Sequence, residues 1–159
     1  MKRLLIFLML WLPLGMAEAA GPDEQLMMAA RDGREALAKS AIAQGANVNA
    51  VNPQGRSALM LAAYYGNEKV VKLLLAEGAD PTLKDSQGGT ALIGASQQYN
   101  LEVIRALISH GADVNAAGKN GMTPLRAAEL NGNDEVMKLL GEAGAEGGGK
   151  KSAKKKKKG

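Results

Sequence analysis

The chain has 159 residues, no cysteine, one histidine and a formal charge of +4. The absence of cysteine excludes disulfides, cysteine-ligated metal and lipid attachment at a cysteine behind an export signal. The basic balance does not point to nucleic acid, because it belongs to one end: residues 20–149 hold 11 Lys and Arg against 15 Asp and Glu, while the last ten residues hold seven lysines.

Residues 1–19 have the form of a cleaved export signal. Lys2 and Arg3 precede an apolar run from Leu4 to Leu14, and Ala17-Glu18-Ala19 has the small-x-small pattern that signal peptidase needs, placing the cut before Ala20. The run is shorter than the ~20 residues needed to span a bilayer. An uncleaved anchor is the alternative, but no stop-transfer pattern follows. The expected destination is the bacterial periplasm, with secretion as the alternative.

Behind the signal the chain repeats. Gly45, Gly78, Gly111 and Gly144 lie 33 residues apart, each followed by alanine, and Gly55, Gly88 and Gly121 keep the same step. A fixed step of this size marks a stack of small units, each unable to bury its apolar face alone. One frame divides the body into 22–50, 51–83, 84–116 and 117–149, within a domain spanning 20–146. Each unit opens on a glycine-containing turn. A short helix rich in Ala and Leu starts near Ser57, Thr90 or Thr123, whose hydroxyl can serve free amides at a helix start. Gly66 and Gly132 stand where that helix stops in a left-handed residue. A second helix follows, with Val70, Val71, Leu74 and Leu75 on one face and Val103, Ile104, Leu107 and Ile108 likewise. No segment alternates long enough for a packed sheet. The first and last units carry polar outer faces (Asp23, Glu24 and Gln25; Asp134, Glu135, Lys138 and Glu142), which would stop end-to-end growth.

These residues resemble the ankyrin repeat family. Thr123-Pro124-Leu125, Ala127-Ala128 and Gly111-Ala112-Asp113-Val114-Asn115 match its pattern, and Gly45-Ala46-Asn47-Val48-Asn49 nearly so. The resemblance covers about residues 23–146. It implies an all-α, ankyrin-like solenoid of four helix-turn-helix units with β-turn fingers. Three departures stand out. The family's histidine position holds Met60, Ile93 and Arg126, so its usual Thr–His hydrogen bond is missing. Gly118 replaces the turn-bonding Asn52 and Asp85. Tyr99 stands in the place of Gly66 and Gly132, where a positive φ would cost a tyrosine about 1–2 kcal/mol; either the third unit turns differently there or it is strained.

No catalytic constellation is present. His110 precedes Gly111 at a helix end, where a donor side chain suits the free carbonyls. Gly88-Gly89-Thr90 is a repeat turn, not a phosphate loop, and the repeat spacing scatters the carboxylates that a metal would need. The expectation is a monomer without enzymatic activity, cofactor or metal, working on a protein partner.

The resemblance implies where that partner sits: on the finger tips and the exposed ends of the first helices. Unit by unit these are Pro53, Gln54, Arg56, Tyr64 and Tyr65; Ser86, Gln87, Gly89, Gln97 and Gln98; and Lys119, Asn120, Met122, Leu130 and Asn131. Tyr99 joins them. All three tyrosines fall at matching helix ends of adjacent units, about 10 Å apart if the helices stack. They would form either a binding hot spot or packing around small alanines.

The end of the chain, 147–159, reads as a disordered tail. Three glycines lead into Lys150, Lys151, Lys154, Lys155, Lys156, Lys157 and Lys158, which repel one another and cannot pack. The tail either binds an anionic membrane or envelope surface, at about 1 kcal/mol per lysine, or only solubilises. The combined expectation is an interaction module of the periplasm or envelope. By resemblance to small exported bacterial members of the family, it would be accessory to another enzyme in stress protection. The alternative is a secreted effector-like or inhibitory binder acting outside the cell.

Overall fold

Eight helices make up the regular structure of residues 20–147, the part of the chain that the computed structural model describes. The predicted signal, 1–19, and the lysines of the predicted tail lie outside the described residues. The helices are α1 (Pro22–Asp32), α2 (Glu35–Ala43), α3 (Ala58–Tyr64), α4 (Glu68–Ala76), α5 (Ala91–Gln97), α6 (Leu101–Ser109), α7 (Pro124–Leu130) and α8 (Asp134–Glu142). Links of two or three residues fold each consecutive pair back on itself as a helical hairpin. The first helices pack in a row, α1 on α3, α3 on α5 and α5 on α7. The second helices form another, α2 on α4, α4 on α6 and α6 on α8.

The first helices bury a row of alanines, Ala29, Ala30, Ala62, Ala63, Ala95 and Ala128, beside one leucine each in α1, α3 and α5, Leu26, Leu59 and Leu92. Short side chains let these helices approach closely across successive units. The second helices bury larger groups in a continuous core, namely Val70, Val71 and Leu74, then Val103, Ile104 and Leu107, then Val136 and Leu140. Ile108, expected on that face, is only half-buried.

The helix starts follow the chemistry of their caps. Ser57, Thr90 and Thr123 accept from the backbone N–H of Met60, Ile93 and Arg126, at 3.3, 3.3 and 3.2 Å. Met60 and Ile93, in the histidine position, are buried. The junction of finger and helix is thus held by a hydroxyl cap and apolar contact. His110 lies as expected at the end of α6, with Nδ1 2.8 Å from the Ala106 carbonyl oxygen.

The link after each first helix shows why Tyr99 is tolerated. Gly33, Gly66 and Gly132 take φ of 70°, 70° and 62°. In the third unit Gln98 is extended instead, at φ −105° and ψ 153°, and no non-glycine residue among those described has positive φ. Of the two alternatives for Tyr99, the different turn holds and the strained one falls.

Successive units are also tied loop to loop. Asn49 donates from Nδ2 to the Gly78 carbonyl and accepts from the Asp80 N–H at 2.8 Å. Asn115 repeats this with Gly144 and Glu146. Thr82 holds the corresponding place between them, but its hydroxyl and N–H both donate to Asp80 within its own unit. The Asp80 carboxyl is held below its ordinary range by those same two hydrogen bonds. Replacing Asn115→Thr should therefore lower the unfolding free energy by about 1 kcal/mol, the net worth of an exposed hydrogen-bond pair. Thr82→Asn should raise it by a similar amount. Urea midpoints of the two variants check both signs.

Candidate protein-binding surface

The fingers are tight turns closed by the same two backbone bonds each time. Asn52 N–H donates to Arg56 and Gly55 N–H to Asn52, at 3.0 and 2.8 Å; Asp85 with Gly88 and Gly89, and Gly118 with Gly121 and Met122, repeat the arrangement. The Asn52 Oδ1 accepts from the amides of Gln54 and Arg56, and the Asp85 Oδ1 from those of Gln87 and Gly89. Gly118 has no side chain for this role. The third such turn relies on Asn120, whose Oδ1 accepts from Met122 N–H at 3.2 Å.

Backbone bonds also join finger to finger. Ser86 N–H donates to the Gln54 carbonyl at 3.0 Å, and Lys119 N–H to that of Gln87 at 2.8 Å. The approach is close: a Cβ on Gly88 would lie 3.1 Å from Gly118 Cα and Lys119 N. Because the backbone performs the joining, the side chains of Pro53, Gln54, Arg56, Ser86, Gln87, Lys119 and Asn120 are left exposed in a row. Met122 is half-buried.

The first-helix ends supply a second row at the same step: Arg31, Tyr64, Gln97 and Leu130, then Asp32, Tyr65, Gln98 and Asn131. The rings of Tyr64 and Tyr65 meet edge to face, with centroids 5.2 Å apart. Tyr64, Gln97, Gln98, Leu130 and Asn131 line one open recess of about 290 Å³. Five of the residues nominated from the sequence are thus brought together. The Asn131 Nδ2 donates across the unit boundary to the Gln97 carbonyl at 3.1 Å, joining two residues that line the recess.

Tyr99 goes elsewhere. Its hydroxyl donates to Glu135 on α8 at 2.7 Å, and it is not among the recess-lining residues. The expected three-tyrosine cluster is therefore two tyrosines, because the extended Gln98 redirects the chain before Tyr99. Accepting that hydrogen bond, the Glu135 carboxylate favours the neutral phenol and raises the Tyr99 hydroxyl above its ordinary value of 10.0.

The sequence reading missed a second recess, of about 150 Å³, between α3 and α5. Arg56, Tyr64 and Gln97 border it, but much of its wall is Met60, Leu61, Ile93 and the bare backbone of Gly94. The signal was available: Leu61, Gly94 and Ala127 share a register, and the third unit has no side chain there.

Exposure separates the two sides of the stack. The exposed large apolar residues among those described are Met28, Val51, Tyr64, Tyr65, Tyr99 and Leu130. All lie in a first helix, a finger or the link after a first helix, and none in a second helix. Charge separates too. In units two to four, fingers and first helices hold Arg56, Lys84, Lys119 and Arg126 against Asp85 and Glu129, whereas second helices and the loops behind them hold nine acids against four bases. No group of three or more metal-binding side chains occurs among the described residues, and no described helix is long and apolar enough to cross a membrane.

Residues 12–85 and 71–150 match the sequence family described as Ankyrin repeats (3 copies). No curated protein matches the chain.

The Tyr99–Glu135 bond makes a spectroscopic prediction. In an ultraviolet titration of tyrosinate, Glu135→Gln should bring the Tyr99 transition down toward the ordinary phenol value, since the carboxylate no longer opposes ionisation. An unchanged transition would show that the bond does not persist in solution.

Proposed function

The chain belongs to the ankyrin repeat family, and from that premise we propose that it is a binding adaptor of the periplasm or cell envelope. Ankyrin repeats are protein–protein interaction modules. The observation that supports this use here is the segregation of exposed apolar side chains onto fingers and first-helix ends. An apolar patch framed by polar residues marks an interaction site, and tyrosine supplies large contact area at low entropic cost. In this reading the partner rests on Tyr64, Tyr65, Gln97, Gln98, Leu130 and Asn131. The finger tips Pro53, Gln54, Arg56, Ser86, Gln87, Lys119, Asn120 and Met122 lie along its edge. Tyr99 is peripheral.

The signal-like segment supports export, with maturation before Ala20. The seven lysines support electrostatic tethering to an anionic envelope surface, which would raise the rate of encounter with a partner held there. An accessory role toward another enzyme, in stress protection, fits an exported adaptor that acts only by binding.

Two measurements test this. Envelope proteins crosslinked to and captured by the tagged protein should be lost from Tyr65→Ala/Leu130→Ala, with circular dichroism unchanged. Loss of a tyrosine-class hot spot costs about 2 kcal/mol or more, over ten-fold in affinity. Undiminished capture by the folded double variant would sink the assignment of the surface. Separately, deleting residues 150–159 should abolish cosedimentation with phosphatidylglycerol vesicles at low salt. Binding of the undeleted chain should itself weaken as salt rises. Equal binding with and without the tail would remove the tether from the account.

A further inference from the structure

The recess between α3 and α5 has a construction that the rest of the finger face lacks. It arises from two missing side chains in the third unit. Gly94 stands in register with Leu61 and Ala127, and Gly89 in register with Arg56 and Met122. A Cβ on Gly94 would sit 3.6 Å from the Tyr64 Cβ, in ordinary contact, so the packing admits a methyl group there. Glycine inside a helix is unfavourable relative to alanine. The third unit thus keeps a helix-weakening residue where alanine would fit, while at Gly89 a Cβ would meet the Asp85 carboxylate at 3.0 Å; the result is an opening.

The opening has an apolar side, at Met60, Leu61, Tyr64 and Ile93, and an equally extensive polar side, at Arg56, Asp85, Thr90 and Gln97. Met60 and Ile93 are buried beneath it, with Leu61 and the Tyr64 ring at its side. Its volume is about 150 Å³ and it opens to solvent, which leaves room for the tip of one side chain whose apolar part meets Leu61 and the Tyr64 ring. On the polar side, Asp85 is occupied through Oδ1 by two backbone amides, and its Oδ2 faces Arg56 Nε at a loose 3.7 Å. Arg56 is half exposed, at 52%, with its terminal nitrogens available to a carboxylate. The surrounding fingers and first helices of units two to four are net basic, and the lysine end adds seven more positive charges.

We propose that this recess is the anchor pocket for an acidic protein segment. It takes one leucine- or methionine-sized side chain, while a neighbouring aspartate or glutamate of the same segment pairs with Arg56. The apolar side of the recess contributes affinity, since burial of an anchor against it removes surface from water. The guanidinium supplies direction, because it binds carboxylates in a fixed planar geometry. The basic fingers and first helices of units two to four, with the lysines, select against basic competitors. The proposal rests on the finger face being the binding surface and names what that surface recognises.

The test is selection of random ten-residue peptides, displayed on phage, against the purified protein with its lysine end intact. Selected peptides should share a Leu or Met beside Asp or Glu. Their affinity should fall about ten-fold or more on Gly94→Leu, which fills the recess, and on replacing the anchor by Ala. It should fall less on Arg56→Gln. Gly94→Leu should unfold in urea no earlier than the parent, so that lost binding is not lost structure; Gly94→Ala should bind within a few-fold of the parent. Peptides that bind Gly94→Leu undiminished but lose affinity on Tyr65→Ala/Leu130→Ala would overturn the pocket and leave the finger face standing. Peptides indifferent to all of these variants, or none recovered, would count against both. A basic consensus would overturn the assigned partner chemistry. So would concentration-dependent dimerisation abolished by Gly94→Leu, which would make a second copy of the chain the occupant.

Discussion

The wholly buried alanines of the first helices set the spacing on which everything else depends. A unit of two short helices has too little interior to bury its own apolar face, so its stability lies in contact with its neighbours. Alanine lets one first helix approach the next, and the larger valines and leucines of the second helices fill the space behind. Once that spacing is set, consecutive fingers fall within backbone hydrogen-bonding distance. Ser86 then meets Gln54, and Lys119 meets Gln87. The close packing that stabilises the stack is therefore also what aligns the finger tips into a row.

That arrangement frees side chains for other uses. Finger-to-finger joining is done by main-chain amides, and turn closure by the Asn52, Asp85 and Asn120 side chains. The residues between them are bound by neither task. Exposed apolar groups and an excess of basic over acidic residues collect on this side, while most acids of units two to four sit on the second helices and their loops. Within units two to four a net negative body thus carries a net positive face, a contrast that the total charge conceals.

Departures from the repeat have different consequences according to what the neighbouring backbone can do. At Tyr99 the chain avoids a left-handed tyrosine by extending Gln98, and the ring moves off to Glu135. At Thr82 the lost amide removes a tie between loops, and the hydroxyl satisfies itself on Asp80. At Gly94 nothing rearranges to fill the gap, so a recess remains. The first was a visible break in the 33-residue register that left two alternatives open, because a link has several ways to turn; the second does not stand out in the sequence, because a threonine has several acceptors. The third was as visible as the first and was passed over, because a small residue in a helix of small residues does not stand out until its neighbours are placed in space.

By itself the sequence determined the repeat, its step, the helix pairs, the hydroxyl caps and the left-handed glycines. Each of these is a local matter of periodicity, side-chain chemistry or backbone freedom, and each reads off residues close along the chain. It also nominated the finger tips and first-helix ends through resemblance to the family. Only the tertiary structure decided which of those residues meet. Tyr64, Gln97 and Leu130 share a recess across unit boundaries, Tyr99 does not, and the Gly94 opening exists only because Met60, Tyr64 and Ile93 come together around it. Such contacts depend on the distance between helices some 33 residues apart in the chain, and that distance is set by packing, which no single unit contains.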